Sequence, residues 1–113
     1  GINVNNNPGA YEPKAIALKD VLNKSISRRL ILETFLDDFE TSIKNIDCKT
    51  TIEQWKEMTS TIGSKVRIET IKEVFEGSAI DVDESGALII EDGNGKKQKI
   101  IYGDCFHIGE KNE

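Results

Sequence analysis

The stretch from Val66 to His107 constrains the fold most, because its hydrophobic period is 2 and glycine-containing turns interrupt it. Val66 and Ile68 alternate with Arg67 and Glu69. Ile71, Val74 and Phe75 lead into a second run that ends Ala79-Ile80-Asp81-Val82. Asp83-Glu84-Ser85-Gly86 reads as a turn, Ala87 to Ile90 as a strand, and Asp92-Gly93-Asn94-Gly95 as a hairpin tip. Lys99 to Tyr102 reads as the returning strand, and a last strand is expected around Cys105 to Ile108. Gly77 interrupts the second run, which signals a bulge or a close backbone approach. Five short strands in this space predict a small barrel of Greek-key or SH3-like course.

Upstream the period is helical. Leu30, Ile31, Phe35, Leu36, Phe39 and Ile43 fall on one face of a helix running from Ser27 to about Asn45, with Ser25 or Ser27 as its N-cap. A second helix is expected from Thr50 or Thr51, with Thr50 and Glu53 as a capping box. Its apolar stripe is Ile52, Trp55, Met58 and Ile62, and Gly63 is its expected stop. A short helix is expected between Pro13 and Lys24, and a short strand over Gly1 to Asn6. The fold class is therefore α+β, a helical segment followed by a small SH3-like β-barrel. The expected boundary separates residues 1–62 from residues 63–113.

Charge narrows the function. The 113 residues carry a net −5, of which −4 falls on residues 63–113. An acidic barrel is a poor partner for phosphate backbones, which argues against nucleic acid. No apolar run approaches the length of a membrane span. Cys48 and Cys105 match no metal or redox spacing and read as reduced, partly buried thiols, which suits a cytoplasmic protein. With one histidine, His107, a His–His metal site within the chain is excluded. Asp81 and Asp83 lie on one face of a strand, where they either share a proton or cation or end a solvated strand. Gly93-Asn94-Gly95-Lys96-Lys97 has the composition of a phosphate cradle but the position of a hairpin tip. Trp55, on a helix stripe, reads as core. The residues alone give no complete active site.

Several landmarks resemble one enzyme family, the biotin protein ligases. Gly1-Ile2-Asn3-Val4-Asn5 looks like the end of that family's Gly-Ile-Gly-Ile-Asn-Val-Asn strand. Gly63 and Lys65-Val66 resemble its entry into the C-terminal domain. Phe75 to Asp83, followed by Gly86-Ala87-Leu88-Ile89-Ile90, resembles its Gly-Ile-Asp and Gly-Ala-Leu-Leu stretch. Gly103-Asp104 matches its closing Gly-Asp element.

The resemblance implies a ligase that makes biotinoyl-5′-AMP from biotin and ATP with Mg, then passes biotin to a lysine of a biotin carboxyl carrier domain. The family's Gly-Arg-Gly-Arg loop and Lys-Trp-Pro-Asn-Asp segment are not in this sequence. The chain is thus expected to be a C-terminal piece, inactive alone, with the remaining catalytic portion and the carrier as partners. What carries over is an adenylate-side set: Asn3 near the adenine, Gly1 and Ile2 beside it, and Asp104 facing the nucleotide. No catalytic residue carries over. Where the family often places an Arg after Gly-Asp, this chain has His107 and Ile108. An unpaired Gly1–Asn6 strand is also an association hazard, so a homodimer is a further expectation. The alternative reading is a non-enzymatic SH3-like or Sm-like protein-binding module.

Overall fold

A computed structural model describes residues 1–109. The chain divides into two compact units, Gly1–Asn45 and a second that begins at Ile46.

The first unit holds a 3-10 turn (Pro8–Ala10), α1 (Leu18–Leu22) and α2 (Arg28–Lys44). Ser27 caps α2 as expected, its hydroxyl accepting from the Leu30 N–H at 3.2 Å. Two i,i+4 pairs, Arg29 with Glu33 and Glu40 with Lys44, decorate the polar face of α2.

The expected strand over Gly1 to Asn6 does not form. A strand needs a ladder partner, and these backbone groups have other bonds. The Asn3 and Val4 carbonyls accept from the Leu18 and Lys19 N–H groups, at 3.0 and 2.9 Å, satisfying orphan donors at the start of α1. Asn5 pairs with the Ile26 peptide through both ends of its amide. Its Nδ2 donates to the Ile26 carbonyl at 2.7 Å and its Oδ1 accepts from the Ile26 N–H at 3.0 Å. One side chain thus does what a strand neighbour would have done.

The second unit holds α3 (Cys48–Met58), β1 (Lys65–Glu69), β2 (Val74–Val82), β3 (Leu88–Glu91), β4 (Lys97–Ile100) and β5 (Asp104–His107). α3 begins two residues before the expected start. Asp47 is its cap: the carboxylate accepts from the Thr50 N–H at 3.0 Å and also from the Thr50 hydroxyl. These bonds, the hydroxyl's first, hold the Asp47 carboxyl below its ordinary pKa. Gly63 is not the helix stop. α3 ends at Met58, and Gly63 lies at the entry to β1, its N–H donating to the Ala79 carbonyl at 2.8 Å.

The five strands form one antiparallel sheet of order β4-β3-β2-β1-β5. The expected closed barrel is not formed by hydrogen bonds. Among the described residues no ladder joins the two edge strands, β4 and β5, so the sheet stays open there. β4 runs Lys97–Ile100, two residues earlier at each end than the expected Lys99 to Tyr102, because the tight turn is finished at Gly95, φ +77°.

The core is small. Val66 and Ile68 from β1, Ala79 from β2 and Ile90 from β3 are buried together, with Phe75, Leu88 and Ile100 packed against them. The alternation of β1 dictates this, since a slip of one residue would turn Val66 and Ile68 outward and Arg67 inward. Gly77 marks a close approach and not the bulge. A Cβ there would lie 2.5 Å from the Glu91 carbonyl oxygen. The bulge comes later, between Ala79 and Asp81, leaving Ile80 as the extra residue.

Candidate functional site

The expected ligand residues occupy both units. Gly1, Ile2 and Asn3 open the first and are exposed. Asn3 is fixed at two points: its carbonyl accepts from the Leu18 N–H, and its Oδ1 accepts from Asn6 Nδ2 at 2.7 Å. Its own amide Nδ2 has no protein partner among the described residues and can donate to a ligand acceptor. Neighbouring Asn7 is engaged with the Lys19 ammonium. The asparagine run thus organises the segment through side-chain bonds that no period-2 pattern reveals. Asp104 belongs to the second unit, where it starts edge strand β5 opposite Glu69, exposed to solvent.

In the second unit the sheet and Trp55 of α3 line an open cavity of about 270 Å³, with Ile68, Leu88, Ile100, Tyr102 and Cys105 among its walls. Trp55, read from sequence as core, is 46% exposed and forms one wall. Both cysteines are free and exposed, not partly buried as expected. Local desolvation still raises the pKa of the Cys105 thiol. His107 lies within 3.2 Å of the Thr61 hydroxyl through Nε2, bridging β5 to the segment that enters β1.

Asp81 and Asp83 do not share a proton or a cation. Each has its own lysine: Lys56 from α3 lies 2.6 Å from Asp81, and Lys99 from β4 lies 2.5 Å from Asp83. Asp83 also accepts from the Ser85 hydroxyl (2.6 Å) and from the Ser85 and Ala87 N–H groups, which builds the β2–β3 turn. Asp92 builds the β3–β4 turn in the same way, accepting from the Asn94 and Lys96 N–H groups. The glycine-lysine stretch 93–97 is therefore turn and strand, with its Asn94, Gly95 and Lys96 N–H groups already bonded to Asp92.

The lysine contacts, first in importance, hold both the Asp81 and Asp83 carboxyls below their ordinary pKa; for Asp83 the Ser85 hydroxyl adds to this, and for Asp81 the Val82 N–H. Their folded-state values lie below the unfolded ones. The stability they contribute is therefore present above about pH 4 and is lost as pH falls toward the folded values. The thermal midpoint of the second unit should stay flat near neutrality and drop below about pH 4. Lys99→Gln should flatten that drop, and added salt should weaken it, because both pairs are solvent-accessible. A midpoint that falls identically in wild type and Lys99→Gln would remove Asp83 as a cause.

Comparison with known proteins places this geometry. Residues 61–108 match the family model described as the biotin protein ligase C terminal domain. That segment includes the whole sheet. No curated protein gives a significant sequence match.

Among solved structures, the chain is similar to the apo biotin protein ligase of Aquifex aeolicus, with TM-score 0.82 and 18% identity over 94% of this chain and 50% of that one. It is also similar to the same ligase in complex with biotin and ATP, with TM-score 0.75 and 17% identity over 94% of this chain and 46% of that one. At such identity the likeness shows a shared fold, and the chain spans about half the length of the ligase structures it matches. Among the described residues no cluster of three His, Cys, Asp or Glu is placed to hold a metal ion, and no helix is long and apolar enough to cross a membrane.

Proposed function

We propose that this chain is the C-terminal portion of a biotin protein ligase and works by completing the nucleotide side of an active site whose catalytic residues lie outside residues 1–113. The observation that carries this reading is the family match over residues 61–108, reinforced by a common fold that extends over 94% of the chain. The parent reaction joins biotin to AMP, then transfers the biotinoyl group to a carrier-domain lysine. Both steps need developing charge to be met by fixed donors and the mixed anhydride to be kept from water. The second unit is taken as an SH3-like barrel opened between β4 and β5. Its strand order supports this, since the last strand returns beside the first of a four-strand meander.

In this reading Asn3 meets the adenine edge. Its unshared Nδ2 suits a ring-nitrogen acceptor, while its Oδ1 is steadied by Asn6. Gly1 and Ile2 line the same side, and Asp104 faces the nucleotide from β5. Biotin and Mg-ATP are then ligands of the assembled enzyme, and the carrier domain docks on it in the cytoplasm.

Two measurements test this. The chain alone, given biotin and Mg-ATP, should release no pyrophosphate; release would contradict its supporting role. In an enzyme reconstituted with the remaining catalytic portion, Asn3→Ala should raise the KM for ATP about tenfold, the worth of one well-formed hydrogen bond. An unchanged KM would remove Asn3 from the site. The second reading, a protein-binding module of SH3-like type, draws on the strand order alone.

A further inference from the structure

The family match begins at residue 61, so α3 lies outside the matched segment while the whole sheet lies within it. Among the described residues one ion pair bridges the two: Lys56 Nζ of α3 stands 2.6 Å from Asp81 Oδ1 of β2. The other side-chain bonds of α3 and its cap, between Asp47 and Thr50 and from Thr51 to the Asp47 carbonyl, stay local. The bulge in β2 is what aims Asp81 at the helix. Ala79 is buried, and a period of 2 would carry Asp81 to the same inner face. The extra residue, Ile80, resets the phase. Val82 is buried in place of Asp81, and the carboxylate turns outward. Asp81 Oδ1 also accepts from the Val82 N–H at 2.8 Å, so one oxygen is fixed by its own strand and holds the helix. The surrounding charge has the same sense. A cleft of about 260 Å³ lies between α3 and the end of β2, lined by Lys49, Glu53 and Lys56 on the helix and by Asp81, Asp83 and Glu84 on the other side.

We propose that Lys56 is a positioning residue: through Asp81 it latches the sheet to α3 and sets the direction in which the sheet presents Asp104 to the nucleotide. This rests on the functional reading above. The pair is solvent-accessible, with the Lys56 side chain 33% and the Asp81 side chain 56% exposed, so it adds little to stability. Its work is directional. It ties a helix outside the matched segment to the bulged strand inside it, and Asp104 stands in that same sheet.

Trp55, next to Lys56 and on the wall of the sheet's cavity, reports the latch. In the full chain alone, Lys56→Met keeps the apolar stem of the side chain and removes its charge. Acrylamide quenching of Trp55 should then rise about twofold, the step from 46% to full exposure. The urea midpoint and the amide protection of β1 to β3 should stay at their wild-type values, which separates a loosened helix from an unfolded sheet. Lys56→Arg, which keeps the cation, should quench as wild type does. The reaction supplies the second readout. In the enzyme reconstituted with the half of the Aquifex aeolicus ligase that this chain does not span, Lys56→Met should raise the KM for ATP about tenfold and leave that for biotin unchanged. Lys56→Arg should keep both at wild-type values.

The proposal is overturned if quenching in Lys56→Met stays at the wild-type level, if the sheet loses protection along with it, or if the KM for ATP does not move. Failure of the functional reading has a different signature. The wild-type reconstituted enzyme then transfers no biotin, while Trp55 in the chain alone still decides whether the latch exists.

Discussion

Gly77→Ala should destabilise the second unit by about 2–3 kcal/mol, a large share of what a sheet this small possesses. Gly77 sits in β2 between its two ladder partners, paired with Val66 of β1 and one residue before the Ser78–Glu91 pair with β3. A Cβ there would lie 2.5 Å from the Glu91 carbonyl oxygen and 3.0 Å from the Glu91 carbonyl carbon. Both are backbone atoms, so relief requires β2 and β3 to separate. Trp55, the chain's single tryptophan, lies in this unit beside the cavity and reports its unfolding by fluorescence. The urea midpoint should fall sharply with an unchanged slope. A midpoint within error of wild type would mean that the close approach at Gly77 does not exist in solution.

Ile68→Ala should cost about 2–5 kcal/mol and leave the unit largely unfolded at 25 °C. Ile68 is 2% exposed and is one of only four residues in the buried cluster. It faces Phe75 across the β1–β2 ladder and Cys105 across the β1–β5 ladder, so its side chain joins both flanks of the sheet. Ile68 also lines the neighbouring cavity, so truncating it enlarges that space. Ile68→Val, which removes one methylene, should cost about 0.5–1.5 kcal/mol and keep the unit folded. Equal midpoints for the alanine and valine variants would contradict this account of the core.

The sheet was legible because its signals are local. Val66 and Ile68 alternate with charged residues, and Asp-x-x-Gly marks both tight turns, so strands and connections follow from neighbours in sequence. The Ser27 cap of α2 and the close approach at Gly77 were legible for the same reason. What was not legible depends on partners far along the chain. Gly1 to Asn6 has the alternation of a strand, but its backbone bonds go to α1 and its Asn5 amide to Ile26, 21 residues on. Asp81 and Asp83 share a face by spacing, yet Lys56 and Lys99 decide their chemistry, and no short-range pattern foretells those contacts. Asp47 displaced Thr50 as the α3 cap because a carboxylate is the stronger acceptor and satisfies the Thr50 donors itself. Closure of the sheet depends on whether β4 and β5 meet, which periodicity within each strand does not determine. The helical period of α2 was legible, but the exposure of its apolar side chains was not, since a period reports which residues share a side and not whether anything packs on them.

The central claim, that this chain is the supporting half of a biotin protein ligase, is tested most directly by biotin transfer in trans. The full chain is co-refolded with the half of the Aquifex aeolicus ligase that it does not span, and labelled biotin is followed onto a carrier domain in the presence of Mg-ATP. The account predicts transfer about a hundredfold above that of either half alone, the scale on which positioning of a nucleotide site acts. Transfer no faster than the unaided half would contradict it.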